Sequence, residues 1–188
     1  KLTQRFGHGD DHYGLLYESR WKLLALRACD GDVSLQGPCF REDFRGTSVW
    51  AASQYIRKLL SPIEAALGRV RLSNLMPGQW VQWHQDSEIP FSSHQPASLH
   101  MGFEEPICRV HIIITNPPEA HIRLGMEYLL MRPGDIWCGD FSFPHTIYNE
   151  GKDVRTTLLV DVAILPNILR KSLLGQAILN AHSSLDTE

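Results

Sequence analysis

The sequence predicts an α+β fold, with a double-stranded β-helix (jelly-roll) core and supporting helices. Two observations predict it. From Val70 onward, short apolar and β-branched stretches follow one another between Gly- and Pro-containing turns, as in a β-sandwich or barrel. Helical periodicity is confined to the flanks, before Gly68 and after Ile164. A chain of 188 residues makes one domain, with N-terminal strands and helices over 1–68, the jelly-roll core over 69–164 and a C-terminal helix over 165–188.

In chain order, residues 1–20 are polar, are interrupted by Gly7, Gly9 and Gly14, and read as an arm or early edge strand. Trp21–Arg27 reads as a strand, which Asp30-Gly31-Asp32 turns. Residues 33–47 hold Gly37, Pro38 and Gly46 and read as loop. Ser48–Leu60 sets Ala51, Ala52, Tyr55, Ile56, Leu59 and Leu60 on one helical stripe. A second short helix is signalled by Ser61 as cap, Pro62 in the first turn and Glu64 completing a capping box, with Gly68 to stop it. Strands at Val70–Leu75 and Trp80–Asp86 flank the Pro77-Gly78 turn. Ile107–Thr115 is a strand ended by Asn116-Pro117-Pro118, and Ala120–Leu124 and Glu127–Met131 are split by Gly125. After Pro133-Gly134-Asp135 come Ile136-Trp137-Cys138, a strand around His145–Tyr148, the Asn149–Asp153 turn and Arg155–Ile164. Leu165–Ala181 reads as a terminal helix. Such a barrel opens at one mouth, where ligand sites occur.

Composition excludes some partners. Hydrophobic content of 43%, charged content of 21% and a net charge of −3 are ordinary for a globular protein, and no basic tract invites nucleic acid. No apolar run nears the ~20 residues needed to span a bilayer, and Lys1-Leu2-Thr3 lacks a secretory profile. The start on Lys leaves open a trimmed upstream segment. Cys29, Cys39, Cys108 and Cys138 have no metal-binding spacing and read as reduced thiols of a cytoplasmic protein, with a Cys29–Cys39 bridge as the open alternative. No membrane or nucleic-acid partner is expected, and the oligomeric state is left open.

The chemistry-bearing set is His84-Gln85-Asp86 with His145 far downstream and Arg155 ten residues beyond it. Two imidazoles and one carboxylate can hold an iron on one face and leave positions for a co-substrate and O2. His84 and Asp86 are two apart, so on a strand they share a side. The bland reading of Asp86 is a carboxylate capping a turn. Arg109 and His111 are also two apart, on the face opposite Cys108, Val110 and Ile112. A cation and an imidazole on an apolar strand imply an anion nearby. That anion is either a ligand or an internal Asp or Glu paired with Arg109.

Five segments, Ser73-Asn74-Leu75-Met76-Pro77-Gly78, His84-Gln85-Asp86, Arg109-Val110-His111, Pro133-Gly134-Asp135-Ile136-Trp137, and His145 with Arg155 and Leu158-Leu159-Val160-Asp161, together resemble one family. It is the aspartyl/asparaginyl β-hydroxylase family of Fe(II)- and 2-oxoglutarate-dependent oxygenases, which includes small bacterial proline cis-hydroxylases. The resemblance runs from about Ser73 to Asp161, with an echo in Trp21–Arg27 and Asp30-Gly31. It implies that His84, Asp86 and His145 ligate Fe(II), that Arg155, His111 and Ser73 bind 2-oxoglutarate, and that Arg109 reaches a substrate carboxylate. Arg155 suits its part because a guanidinium heading an apolar strand needs a planar, bidentate partner. Ser73 otherwise reads as a plain strand serine. Animal members that act on aspartyl residues have glycine where Asp86 stands, so Asp86 points to the bacterial, three-ligand branch.

The implied reaction decarboxylates 2-oxoglutarate to succinate and hydroxylates an unactivated C–H of an amino acid. That amino acid is free, as in L-proline cis-hydroxylation, or lies within a peptide or protein. The 22 residues Ser87–Cys108 exceed the family's usual link, and 87–106 are expected to form a substrate-selecting lid. Readings from other classes are a catalytically silent jelly-roll binding module and a zinc cupin-type isomerase or hydrolase. Trp50, Trp80, Trp83 and Trp137 are expected to pack the core or barrel wall; Trp21 and Arg27 are candidates for the substrate pocket. His94, His100 and His121 are placed in or beside loops, outside the site.

Overall fold

Ten strands form among the described residues, which are 21–33, 40–86, 107–138, 141 and 143–185 of a computed structural model. They are β1 Trp21–Cys29, β2 Phe44–Gly46, β3 Leu67–Leu75, β4 Gln79–His84, β5 Ile107–Thr115, β6 Ala120–Leu124, β7 Glu127–Leu129, β8 Ile136–Cys138, β9 His145–Asn149 and β10 Arg155–Ala163. One sheet has the order β2-β1-β3-β10-β5-β8 and the other β4-β9-β6-β7. The eight strands β3 to β10 thus alternate between the sheets in mirrored pairs, as when one long antiparallel hairpin coils up on itself. This is a double-stranded β-helix, and β1 and β2 widen its larger sheet.

Period-two alternation gives the larger sheet two different faces. Val70, Val110, Leu158 and Val160 turn outward onto a core with Leu60, Ile63, Leu169 and Ile178 from the helical layer. Leu75 and Ile113 turn inward and meet Val81, Ile122 and Ile147 of the smaller sheet. The same inward face also carries Arg69, Arg71, Ser73, Arg109, His111, Arg155, Thr157 and Asp161, all buried. So many polar groups inside a barrel need partners, and those partners define the site.

The helical layer differs from the expectation in detail. Ser48–Leu60 is two helices, α1 Ser48–Ala52 and α2 Gln54–Leu60. They break at Ser53, whose ψ of 63° is not helical and whose hydroxyl donates to the Val49 carbonyl at 2.7 Å. Ser61–Ala66 is a 3-10 helix without a side-chain cap. It continues directly from α2, so there is no free N-terminus for Ser61 to cap, and Ser61 Oγ donates back to Lys58 O instead. Gly68 lies within β3 rather than ending a helix. The expected terminal helix is split into α3 Pro166–Leu169 and α4 Leu173–Leu185. Ser172 Oγ accepts the Gly175 N–H at 3.0 Å, which starts α4 afresh. Gly175 also lets α4 close on α3, since a Cβ there would stand 2.1 Å from Leu169 O. The loop expected over 33–47 contains a 3-10 helix at Arg41–Asp43 and the edge strand β2. The arm 1–20, the lid 87–106, and Cys39, His94 and His100 lie outside the described residues. No helix among the described residues is long and apolar enough to cross a membrane.

Candidate metal centre

β4 and β9 pair antiparallel, with Val81 opposite Ile147 and His84 opposite His145. Two residues on β4, Gln82 and Trp83, therefore face one on β9, Thr146, which is a bulge. Without it, His84 would take the side opposite to Val81 and point outward. With it, His84 comes round beside His145, the ring centroids being 4.1 Å apart at 52°. Asp86 lies past the end of β4, where its N–H bonds Phe141 O at 2.8 Å. The two residues thus share a side through a bulge and a bent strand end, not through one continuous strand. One ligating atom from each of His84, Asp86 and His145 falls within 4.8 Å of the others. Imidazole nitrogen and carboxylate oxygen bind ions of this kind at about 2.0–2.2 Å, so ligands on one face stand ~3 Å apart and small rotations would close the set.

The tautomers are set for this. His84 Nδ1 lies 2.7 Å from Gln82 O, and His145 Nδ1 lies 2.9 Å from Phe143 O. A carbonyl only accepts, so each Nδ1 carries the proton and each Nε2 carries the lone pair. Burial holds the His145 imidazole below its ordinary pKa against the upward pull of Asp86, which favours the neutral ring that a metal needs. Burial alone would raise the Asp86 carboxyl, but Arg109, then His145 and His84, hold it well below the usual carboxylate range.

Of the two accounts open to Arg109, the internal ion pair is the one formed here. Its Nε donates to Asp161 Oδ1 at 2.8 Å and its Nη2 to Asp161 Oδ2 at 3.1 Å, while Nη1 donates to Asp86 Oδ2. Arg69 Nε adds a further bond to Asp161 Oδ2 at 3.2 Å. Asp161 and Arg109 are direct partners across β10 and β5.

Arg155 is 2% exposed. Its guanidinium donates to Asn116 Oδ1 at 2.9 Å and reaches Met131 Sδ at 4.0 Å, and no carboxylate pairs with it among the described residues. Burial pulls its pKa down to about 10, so it remains a cation at neutral pH. His111 stacks on Phe141 with centroids 4.5 Å apart, and neither ring nitrogen has a hydrogen-bond partner among the described residues. Burial, with Arg155 and Arg109 nearby, pushes His111 well below its ordinary pKa. Ser73 Oγ accepts from Trp21 Nε1 at 2.6 Å. Thr157, directly opposite Ser73, is buried, and its hydroxyl has no partner among the described residues.

Sequence reasoning passed over Thr157 and treated Asp161 only as part of an apolar tail. The signal for both was available: they stand two and six residues after Arg155, hence on its face of β10. Trp50 is buried as expected, but Trp80 and Trp83 are 54% and 46% exposed on the outer face of the smaller sheet. His121 is not in a loop; it is buried in β6 and stacked between Tyr128 and Tyr148. Trp21 serves Ser73, and Arg27 bonds the backbone carbonyls of Gly68 and Phe44.

A family model described as aspartyl/asparaginyl β-hydroxylase matches residues 10–164. No curated protein matches the chain. Among solved structures, a predicted oxalate decarboxylase from Thermotoga maritima is similar at 16% identity and TM-score 0.36, over 57% of this chain and 73% of that one. The Cnp3 cupin domain of Schizosaccharomyces pombe is similar at 7% identity and TM-score 0.37, over 52% and 56%. An uncharacterized conserved protein with a double-stranded β-helix domain from Klebsiella pneumoniae is similar at 16% identity and TM-score 0.36, over 50% and 66%.

Proposed function

Since the chain belongs to the aspartyl/asparaginyl β-hydroxylase family, we propose that it is an Fe(II)- and 2-oxoglutarate-dependent dioxygenase acting on an amino acid, free or within a peptide or protein. His84, Asp86 and His145 would hold the iron. Bound iron, with O2 and 2-oxoglutarate, supplies the oxidising chemistry that puts hydroxyl on an unactivated C–H and leaves succinate and CO2.

The observation that carries this reading is Arg155. A buried guanidinium without a carboxylate partner among the described residues is costly in an empty barrel and useful in one that takes up an anion. Its planar fork suits the distal carboxylate of 2-oxoglutarate. Ser73 faces the same interior, and Trp21 occupies its acceptor side, which leaves its hydroxyl proton for the ligand. His111 is electrostatically near Arg155, Arg109, Asp86 and His145, so it stands between the anion anchor and the metal ligands. Its two unpartnered nitrogens offer a donor and an acceptor there. The protein's own share of catalysis is to orient the co-substrate and keep water from the reacting centre. A zinc isomerase would leave Arg155 without a use, and a catalytically silent binding module would leave the assembled His84, Asp86 and His145 without one.

Succinate formation under air with Fe(II), 2-oxoglutarate and ascorbate tests the reading. Free amino acids, including L-proline, and short Asp- and Asn-containing peptides form the screen, with product read by mass spectrometry. The expected result is succinate coupled to a hydroxylated product in one substrate class. Tight zinc binding with no affinity for 2-oxoglutarate in the Fe(II) protein rejects it.

A further inference from the structure

We propose that Arg109 is the positioning residue for the metal-ligating carboxylate of Asp86, with its guanidinium held in register by Asp161 and Arg69. The inference rests on the metal reading of His84, Asp86 and His145 given above. His84 and His145 are fixed by strand pairing, each with a backbone carbonyl to set its ring. Asp86 has neither support. It lies beyond the end of β4, and among the described residues only its N–H is tied to the backbone, at Phe141 O. Among the same residues the side-chain hydrogen bond that its carboxylate makes is to Arg109.

Arg109 can do this because Asp161 takes the other edge of the guanidinium. Nε and Nη2 form a two-point fork onto the Asp161 carboxylate, and this geometry leaves Nη1 aimed at Asp86. Arg69 clamps Asp161 from β3, so two cations and two carboxylates alternate across the inner face, with Arg71 electrostatically close to both carboxylates. Asp161 offsets the Arg109 charge, so the guanidinium orients a ligand without simply repelling the ion. With Oδ2 of Asp86 engaged by Arg109, its Oδ1 would be the oxygen left for a metal ion.

The test is Co(II) titration of the purified full chain, read by the visible absorption of the bound ion, on wild type, Arg109→Met, Arg109→Lys, Asp161→Asn and the Arg109→Met/Asp161→Asn pair. Circular dichroism checks that each is folded. The expected outcome is a 10- to 100-fold loss of Co(II) affinity in Arg109→Met and Asp161→Asn, the range seen when groups supporting metal ligands are removed. The double variant should lose no more than the worse single one, because Asp161 acts through Arg109. Arg109→Lys, which keeps charge but not the fork, should fall between wild type and Arg109→Met. Unchanged or tighter Co(II) binding in Arg109→Met overturns the proposal, as do losses that add in the double variant. If Arg109→Met does not fold, Asp161→Asn with wild-type affinity and spectrum overturns it alone. A wild-type protein that takes up no Co(II) would instead defeat the metal reading itself, an outcome visible before any variant is made.

Discussion

Trp21 Nε1 donates to Ser73 Oγ at 2.6 Å across β1 and β3, and both side chains are buried. An indole N–H can only donate, so the serine oxygen accepts and its own proton must point elsewhere. On the inner face that direction leads toward Arg155 and Thr157. Replacing Trp21 by Phe keeps an aromatic body in the core but frees the Ser73 hydroxyl to rotate. 2-Oxoglutarate affinity should fall about 3- to 10-fold, on the order of 1 kcal/mol, with metal affinity unchanged. Isothermal titration of the anaerobic Fe(II) protein measures both, and an unaltered 2-oxoglutarate affinity would count against an oriented Ser73.

Arg155→Met separates binding from stability. Its guanidinium is buried against Asn116 and Met131 with no carboxylate partner among the described residues. Met of similar length removes a charge that is costly to bury, so the ligand-free variant should melt no lower than wild type. Hydrogen bonds to a charged group are worth roughly 1.5–3 kcal/mol, so 2-oxoglutarate affinity should drop by about tenfold or more. Wild type should gain melting temperature as 2-oxoglutarate is added, and the variant should gain little. An equal shift in both would remove Arg155 from the co-substrate site.

His145→Ala should abolish turnover and Fe(II) uptake. His145 is buried, its Nδ1 proton is held by Phe143 O, and its ring centroid lies 4.1 Å from that of His84. Wild-type turnover in this variant would refute the ligand assignment.

Asp161 makes the fold sensitive to acid. Burial alone would raise its carboxyl, but Arg109 and Arg69, with Arg71 behind them, bring it down to about 2. An unfolded Asp titrates near ~3.9. The folded value is the lower one, so its stabilisation is full above about pH 4 and is lost as pH falls toward 2. The magnitude is on the order of 2 kcal/mol. Asp161→Asn should cost about 3–5 kcal/mol at neutral pH by removing the buried counter-ion that Arg69 and Arg109 share. The gap between wild type and variant should then narrow as urea melts are taken from pH 5 down to 2.5. A constant gap would mean that Asp161 does not carry this charge.

Much of the barrel was legible because turns and alternation are local. Pro77-Gly78, Gly125 and Pro133-Gly134 fall between strands as the sequence suggests, and Ile107–Thr115 is matched residue for residue by β5. The break at Ser53 was not legible, since a one-residue interruption leaves the apolar stripe of Ser48–Leu60 intact. The bulge in β4 was hidden for a related reason: strict alternation from Val81 puts Trp83 inside and His84 outside, and only pairing with β9 reverses them. The candidate ligands could be read as residue types at a spacing. The internal partner of Arg109 could not, because Asp161 lies 52 residues away and sheet register alone sets the two side by side.

Thr157 offers the sharpest contrast between folding and binding. It is fully buried on β10, two residues after Arg155 and directly opposite Ser73, and its hydroxyl has no partner among the described residues. A buried unpaired hydroxyl costs about 1–3 kcal/mol, and Val is nearly the same shape without that cost. Thr157→Val should therefore leave the ligand-free protein as stable as wild type or more so. If the hydroxyl waits for the co-substrate carboxylate, the same change should weaken 2-oxoglutarate several-fold, since the ligand loses a donor it would otherwise meet. Thermal melts with and without 2-oxoglutarate read the two effects in one experiment. A more stable variant with undiminished 2-oxoglutarate affinity would show that Thr157 is a packing residue, and that the anion is held by Arg155 and Ser73 without it.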